Sequence, residues 1–130
     1  MISQAVREAL QKFVPSENIL YKEPLKNHTT FRVGGEADCL IQVDSMERMP
    51  KLLSYLAKVG IPFFVMGNGS NLLAGDKGYR GIVLQISDKL NEIKAEGCRL
   101  RVQAGAFLSK AAKTACELGL TGLEFAAGIP

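Results

Sequence analysis

Between Ala37 and Met66 two short apolar runs flank a helical stripe, and a glycine loop follows directly. Ala37 to Val43 contains Cys39, Leu40, Ile41 and Val43 and reads as a strand. Met49, Leu52, Leu53, Leu56 and Val59 share one helical face, and Gly60 follows as the residue that ends the helix. Phe63 to Met66 reads as a second, short buried strand. Strand, helix and strand in this order form a crossover unit. Such a unit commonly builds an anion site at the loop after its second strand, here Gly67-Asn68-Gly69-Ser70-Asn71.

Two glycines at spacing two let the backbone take positive φ and approach a ligand closely, because no Cβ intervenes. Ser70 and the two asparagines add short hydroxyl and amide groups, and successive N–H groups facing one concavity make a nest for an anion. The loop is not a P-loop: the Gly-Lys-Ser/Thr ending is missing, and with it the phosphate-gripping lysine and the magnesium hydroxyl. It is not the dinucleotide fingerprint either, since Leu72 stands at the third glycine position. Two readings stay open on these residues alone. One is a plain tight loop between strands. The other is an anion cradle, for which a diphosphate best suits several neutral donors.

The flanking chain mixes helices and strands. Val6, Ala9, Leu10 and Phe13 predict a helix within residues 3–13, with Ser3 as N-cap and Pro15 as its stop. Residues 15–28 read as a linker, and Thr29 to Val33 as a strand that pairs with 37–43 across Gly34-Gly35. Asp44 to Glu47 resembles a capping box, with Pro50 as a local conflict. Gly75 to Gly78 is a turn and Gly81 to Ile86 a strand. Leu90 to Ala95 and Leu100 to Ala104 form a hairpin, and Leu108 to Leu118 is a helix closed by Gly119. The expected fold class is α+β with a mixed sheet. Residues 1–26 form an N-terminal helix and linker, and residues 27–130 the main domain.

With 47% apolar residues the chain can bury a core, and a scattered net charge of +3 with nine aromatics and no tryptophan argues against nucleic acid. No apolar window is long enough to span a membrane, and no signal peptide opens the chain, so a cytoplasmic protein is expected. Cys39, Cys98 and Cys116 are odd in number and lack C-x-x-C spacing, which predicts free thiols rather than a zinc site or disulfide framework. His28 is the sole histidine. It reads as a hydrogen-bonded turn residue, and no metal site is expected. Glu124 reads as a cap or ion-pair partner, while Arg32 and Arg80 face either a ligand or solvent.

Three blocks carry a resemblance. Asn27-His28-Thr29-Thr30-Phe31-Arg32-Val33-Gly34-Gly35-Glu36-Ala37-Asp38, Met66 to Asn71, and Gly119 to Pro130 resemble, in order and spacing, the UDP-N-acetylenolpyruvoylglucosamine reductase family. Glu36 stands where many members have proline. The resemblance implies a FAD-binding domain of the vanillyl-alcohol-oxidase type, incomplete at its C-terminal end. It implies FAD held without a covalent bond by Gly67, Asn68, Gly69, Ser70 and Asn71, with Ala127, Gly128, Ile129 and Pro130 beginning a second flavin-contacting stretch. It further implies NADPH as co-substrate and UDP-N-acetylglucosamine enolpyruvate as the small-molecule substrate, in peptidoglycan synthesis. The family's catalytic arginine, serine and glutamate are expected beyond Pro130, so no catalytic residue is assigned in this chain and the chain alone is expected to be inactive. Exposed apolar surface is expected around Leu123 to Pro130. Neither nucleic acid nor a membrane is expected as partner, and no oligomeric state is assigned. Two alternatives stand beside this reading: a non-catalytic nucleotide- or phosphate-binding module, and the flavin domain of another oxidoreductase of the same superfamily.

Overall fold

The Ser3 hydroxyl accepts a hydrogen bond from the Val6 N–H at 3.4 Å and so caps helix α1 (Gln4–Leu10). The computed structural model describes residues 2–130. One compact unit ends at Ser87, and a second runs Asp88–Pro130.

The first unit is built on a four-stranded mixed sheet. Its strands are β1 (Ile19–Pro24), β2 (Glu36–Val43), β3 (Phe63–Met66) and β4 (Tyr79–Ile86), in the order β1-β2-β4-β3. β1 runs antiparallel to β2, from Ile19 opposite Ile41 to Pro24 opposite Glu36. β2 and β4 are parallel, as are β3 and β4. The central pair reads as nearly continuous apolar sequence because both faces are covered. Cys39, Leu40 and Ile41 of β2 and Ile82, Val83 and Leu84 of β4 are fully buried. From Ala37 to Cys39 β2 advances two residues while β4 advances from Tyr79 to Ile82, so β4 carries a bulge there. Gly81 occupies that bulge, where a Cβ would run into the Pro62 carbonyl.

Three local expectations give way to the tertiary structure. The supposed linker over 15–28 holds β1, preceded by a 3₁₀ turn at Ser16–Asn18 and followed by another at Leu25–Asn27. Thr29 to Val33 is no strand. It forms a turn in which the Arg32 N–H donates to the Thr29 carbonyl at 3.2 Å, and Arg32 takes φ of 54°. β1 claims the edge of β2 that the β-branched run was expected to take, and the Leu25 N–H donates to the Gly35 carbonyl at 3.0 Å to close the connection. Asp44 to Glu47 caps nothing: helix α2 (Met49–Val59) starts from Arg48 without a side-chain cap. A start at Asp44 would place Pro50 in the second turn, where its ring strikes a carbonyl four residues back. Starting at Met49 puts the proline in the first turn, whose N–H groups have no partner anyway.

α2 ends as its sequence predicts, with Gly60 left-handed at φ 67°. Leu52 and Leu56 are buried, and Tyr55 packs on Phe13 with ring centroids 5.2 Å apart. β3 is an edge strand rather than a fully buried one, with Val65 exposed on its outer side.

The second unit begins with a hairpin of β5 (Ile93–Glu96) and β6 (Arg99–Val102), joined by Gly97-Cys98. Helix α3 (Leu108–Glu117) follows, burying Ala111, Ala112 and Ala115, with Gly119 left-handed after it. A 3₁₀ helix at Glu124–Gly128 closes the unit and buries Ala126, while Phe125 and Ile129 are exposed. Among the described residues no helix is long and apolar enough to cross a membrane.

The cysteines are free, with Cys39 buried and Cys98 and Cys116 exposed. Burial pushes the Cys39 thiol from 9.0 up to about 12. An unfolded chain ionises this thiol near 9 while the folded one still holds its proton. Folding stability should therefore be unaffected by Cys39 below pH 9 and fall as pH rises from there towards 12, at about 1.4 kcal/mol per pH unit. A thiol reagent at neutral pH should titrate two thiols in the native chain and the third only after denaturation. Three fast thiols would show that the β2 face is not closed over Cys39.

Candidate functional site

β3 pairs with β4 up to Met66 opposite Gln85, and the chain then leaves the sheet as the loop Gly67 to Asn71. The loop is stitched to the turn after β1. Gly69 is buried with φ of 67°, and a Cβ on it would overlap the His28 carbonyl oxygen and lie 3.0 Å from the Thr29 Cα. The Thr30 N–H donates to the Gly69 carbonyl at 3.1 Å. Glycine at 69 is thus required twice, by the backbone angle and by the approach of a second backbone.

Side chains make a second connection. His28 uses both ring nitrogens: Nε2 lies 2.9 Å from Glu23 Oε1 and Nδ1 lies 3.0 Å from Gln85 Oε1. Gln85 Nε2 in turn donates to the Gly67 carbonyl at 3.5 Å, so its Oε1 is the atom turned to the imidazole. The Asn27 amide donates to the same Glu23 oxygen at 3.4 Å. The histidine that sequence placed in a hydrogen-bonded turn therefore ties β1 and β4 together beneath the loop. An apolar cluster of Leu25, Ala37, Leu40, Met66 and Val83 underlies this region, with Leu72 and Ala74 packed against it.

The two connected segments border a polar cleft of about 630 Å³, lined by Lys26, His28, Thr30, Arg32, Asn68 and Gln85 among others. Gly67 and Asn68 are exposed, and no atom comes within 4 Å of where a Gly67 Cβ would stand. Among the hydrogen bonds of the described residues, none is donated by the backbone N–H of Asn68, Gly69, Ser70 or Asn71. Consecutive free donors on a loop that borders a polar cleft fit an anionic group such as a diphosphate.

Ala127, Gly128, Ile129 and Pro130 lie in the second unit, at the end of the 3₁₀ helix and just past it, and all are exposed. Glu124 is exposed rather than buried between its apolar neighbours and accepts from the Gly122 N–H at 2.8 Å. Hydrogen bonds from its own backbone N–H and from that of Gly122 hold its carboxyl below the usual range. It neither caps the 3₁₀ helix, whose N-cap Leu123 makes no side-chain bond, nor forms an ion pair with the described residues; it closes a local turn onto Gly122 instead. Arg80 is held by the protein: it donates to Asp38 at 2.9 Å and to the carbonyls of Glu36 and Lys77 at 3.1 and 2.9 Å. Arg32 lines the cleft instead.

Lys26, Thr30 and Gln85 were not among the residues that sequence assigned to the cofactor. The local signal for the first two is the polar run from Lys26 to Thr30, which can equally be solvated loop. Gln85 gives no signal, because it lies 57 residues from its partner His28.

The profile of the family described as FAD binding domain matches residues 37–130. The chain is 46% identical over 115 residues to a UDP-N-acetylenolpyruvoylglucosamine reductase of Clostridium tetani, an alignment covering 88% of this chain and 37% of that protein. Among solved structures, the UDP-N-acetylenolpyruvylglucosamine reductase of Thermus caldophilus is similar with a TM-score of 0.61 and 32% identity, covering 86% of this chain and 37% of that one. An alkyldihydroxyacetonephosphate synthase shares the fold at a TM-score of 0.67 and 17% identity, over 92% of this chain and 26% of its own. The chain thus spans about 40% of the length of the curated relatives it matches. With the glycine loop and the parallel strands β3 and β4 inside the matched stretch, the chain belongs to the FAD-binding domain family, whose cofactor is FAD.

Proposed function

We propose that the Gly67–Asn71 loop holds the diphosphate of FAD through its backbone amides. The observation that carries this reading is the run of undonated N–H groups from Asn68 to Asn71, bordering a polar cleft. Gly67 leaves room for close approach, and Gly69 fixes the loop against Thr30. Ala127, Gly128, Ile129 and Pro130 form a second flavin-contacting stretch in this reading, supported by their exposed backbone at the end of a 3₁₀ helix. Binding is non-covalent, since no histidine or cysteine stands in the loop.

The chain is then the flavin-holding part of a reductase that uses NADPH to reduce UDP-N-acetylglucosamine enolpyruvate to UDP-N-acetylmuramate in the cytoplasm. The similarity to reductases of that name supports this. Bound FAD supplies the hydride chemistry, and the role of this chain is to bind and orient it.

Adding FAD to the chain should quench flavin fluorescence and shift the flavin absorbance, with riboflavin binding more weakly for want of the diphosphate. Failure of FAD to bind would overturn the assignment of the loop. In a protein of the relatives' full length carrying this sequence, NADPH oxidation should depend on the enolpyruvyl nucleotide sugar. Oxidation that ignores it would remove the reductase assignment while leaving the flavin site intact.

A further inference from the structure

A diphosphate brings about two negative charges, and the glycine loop offers only neutral donors. The cleft that Asn68 borders holds the missing charge, since Lys26 and Arg32 line it too. Neither side chain makes a hydrogen bond or ion pair with the described residues, in contrast to Arg80, which is held three times over. We propose that Lys26 and Arg32 are the cationic half of the diphosphate site, gripping the phosphoryl oxygens in the cleft that the Gly67–Asn71 loop borders. The inference rests on the flavin reading above and adds to it the charged residues of the same site.

The backbone at both positions supports the assignment. Arg32 is one of two non-glycine residues with positive φ among the described residues, at 54°. Glycine would adopt that angle without strain, whereas a long side chain pays for it. The conformation is imposed by the turn that Thr29 anchors: Thr29 is buried, its carbonyl accepts the Arg32 N–H, and its hydroxyl donates to the Val33 carbonyl at 3.4 Å. Strain of this kind persists where the surroundings over-determine it, and it concentrates at ligand clamps. Lys26 follows Leu25, which is 2% exposed in the apolar cluster and hydrogen-bonded to Gly35, so the root of the lysine is fixed while its ammonium is free. His28 stands between the two cations in sequence but is occupied by Glu23 and Gln85. It orients the turn and does not contribute to the grip.

The test uses this chain with FAD, riboflavin, inorganic diphosphate and UDP as separate probes. Lys26→Gln and Arg32→Gln should each weaken FAD binding about fivefold, and the pair about twentyfold, as expected for charge-assisted contacts at an open site. Riboflavin binding should change less than about twofold in the same variants, because it carries no phosphate. Inorganic diphosphate should shift the amide resonances of Asn68 to Asn71 in the wild type and lose that effect in the double variant. Arg32→Gly should keep the melting temperature of the wild type, since it relieves the backbone angle, yet lose FAD affinity like Arg32→Gln. A double variant with wild-type FAD affinity would overturn the inference alone, as would equal losses for FAD and riboflavin. A loss for UDP with FAD unchanged would also overturn it, assigning the cations to the diphosphate of a nucleotide sugar. If the wild-type chain binds neither FAD nor inorganic diphosphate, the flavin reading itself fails, and the inference with it.

Discussion

Replacing Gly69 by alanine is expected to destabilise the first unit by roughly 3 kcal/mol and to weaken FAD binding by more than tenfold. Two separable penalties add. The backbone angle of 67° costs an L-residue about 1 to 2 kcal/mol. The new Cβ also overlaps the His28 carbonyl oxygen, and since neither atom belongs to a flexible side chain, the loop must move away from the 28–30 turn. That movement breaks the Thr30–Gly69 hydrogen bond and shifts the free amides that follow. Gly60 provides the control. It has the same φ of 67°, but nothing lies within 4 Å of its virtual Cβ. Gly60→Ala should therefore show the angular cost alone, about 1 kcal/mol, with FAD affinity unchanged. Urea midpoints and flavin titrations of the two variants measure the difference. Equal effects would mean that the loop is not pinned by the His28 backbone.

Leu40→Ala should be the most damaging core truncation beneath the site, at about 3 kcal/mol within the 2–5 range for such changes. Leu40 has no exposed surface and belongs to the cluster formed with Leu25, Ala37, Met66 and Val83. Those neighbours come from separate segments: Leu25 begins the turn that carries Lys26, and Met66 is the last residue before the glycine loop. A cavity there loosens both walls of the cleft at once, so FAD affinity should fall along with the urea midpoint. Phe125→Ala removes a larger side chain but one that is 74% exposed, and its effect on stability should stay within about 0.5 kcal/mol. A Leu40→Ala variant as stable as wild type would show that the cluster does not support the loop.

Some of this architecture follows from local chemistry. The stripe of α2 and its stop at Gly60, the hairpin at β5 and β6, the Ser3 cap and the helix before Gly119 all depend on residues a few positions apart. Periodicity and capping report such elements directly. The misplaced strand shows where that logic ends. Thr29-Thr30-Phe31-Arg32-Val33 has strand propensity, yet it turns, because the edge of β2 is already taken by Ile19–Pro24. A strand's partner is chosen by the whole sheet and not by its own residues. Likewise β3 follows β2 through α2 but pairs with β4, which comes later in the chain and lies between them.

The same division runs through the site. Gly67 to Asn71 marks itself in sequence because glycine spacing and small polar residues restrict what a backbone can do, and that part of the site needs no tertiary information. The cations that line the same cleft do. In sequence Lys26 looks like an ordinary surface cation and Arg32 faces either a ligand or solvent, until β1, β2 and β4 bring the turn after β1 against a loop some forty residues away. The physical reason is range: backbone permissiveness is a property of one residue, whereas the meeting of a neutral cradle with two free cations depends on strand order and on hydrogen bonds such as His28 to Gln85, which exist only once the sheet has formed.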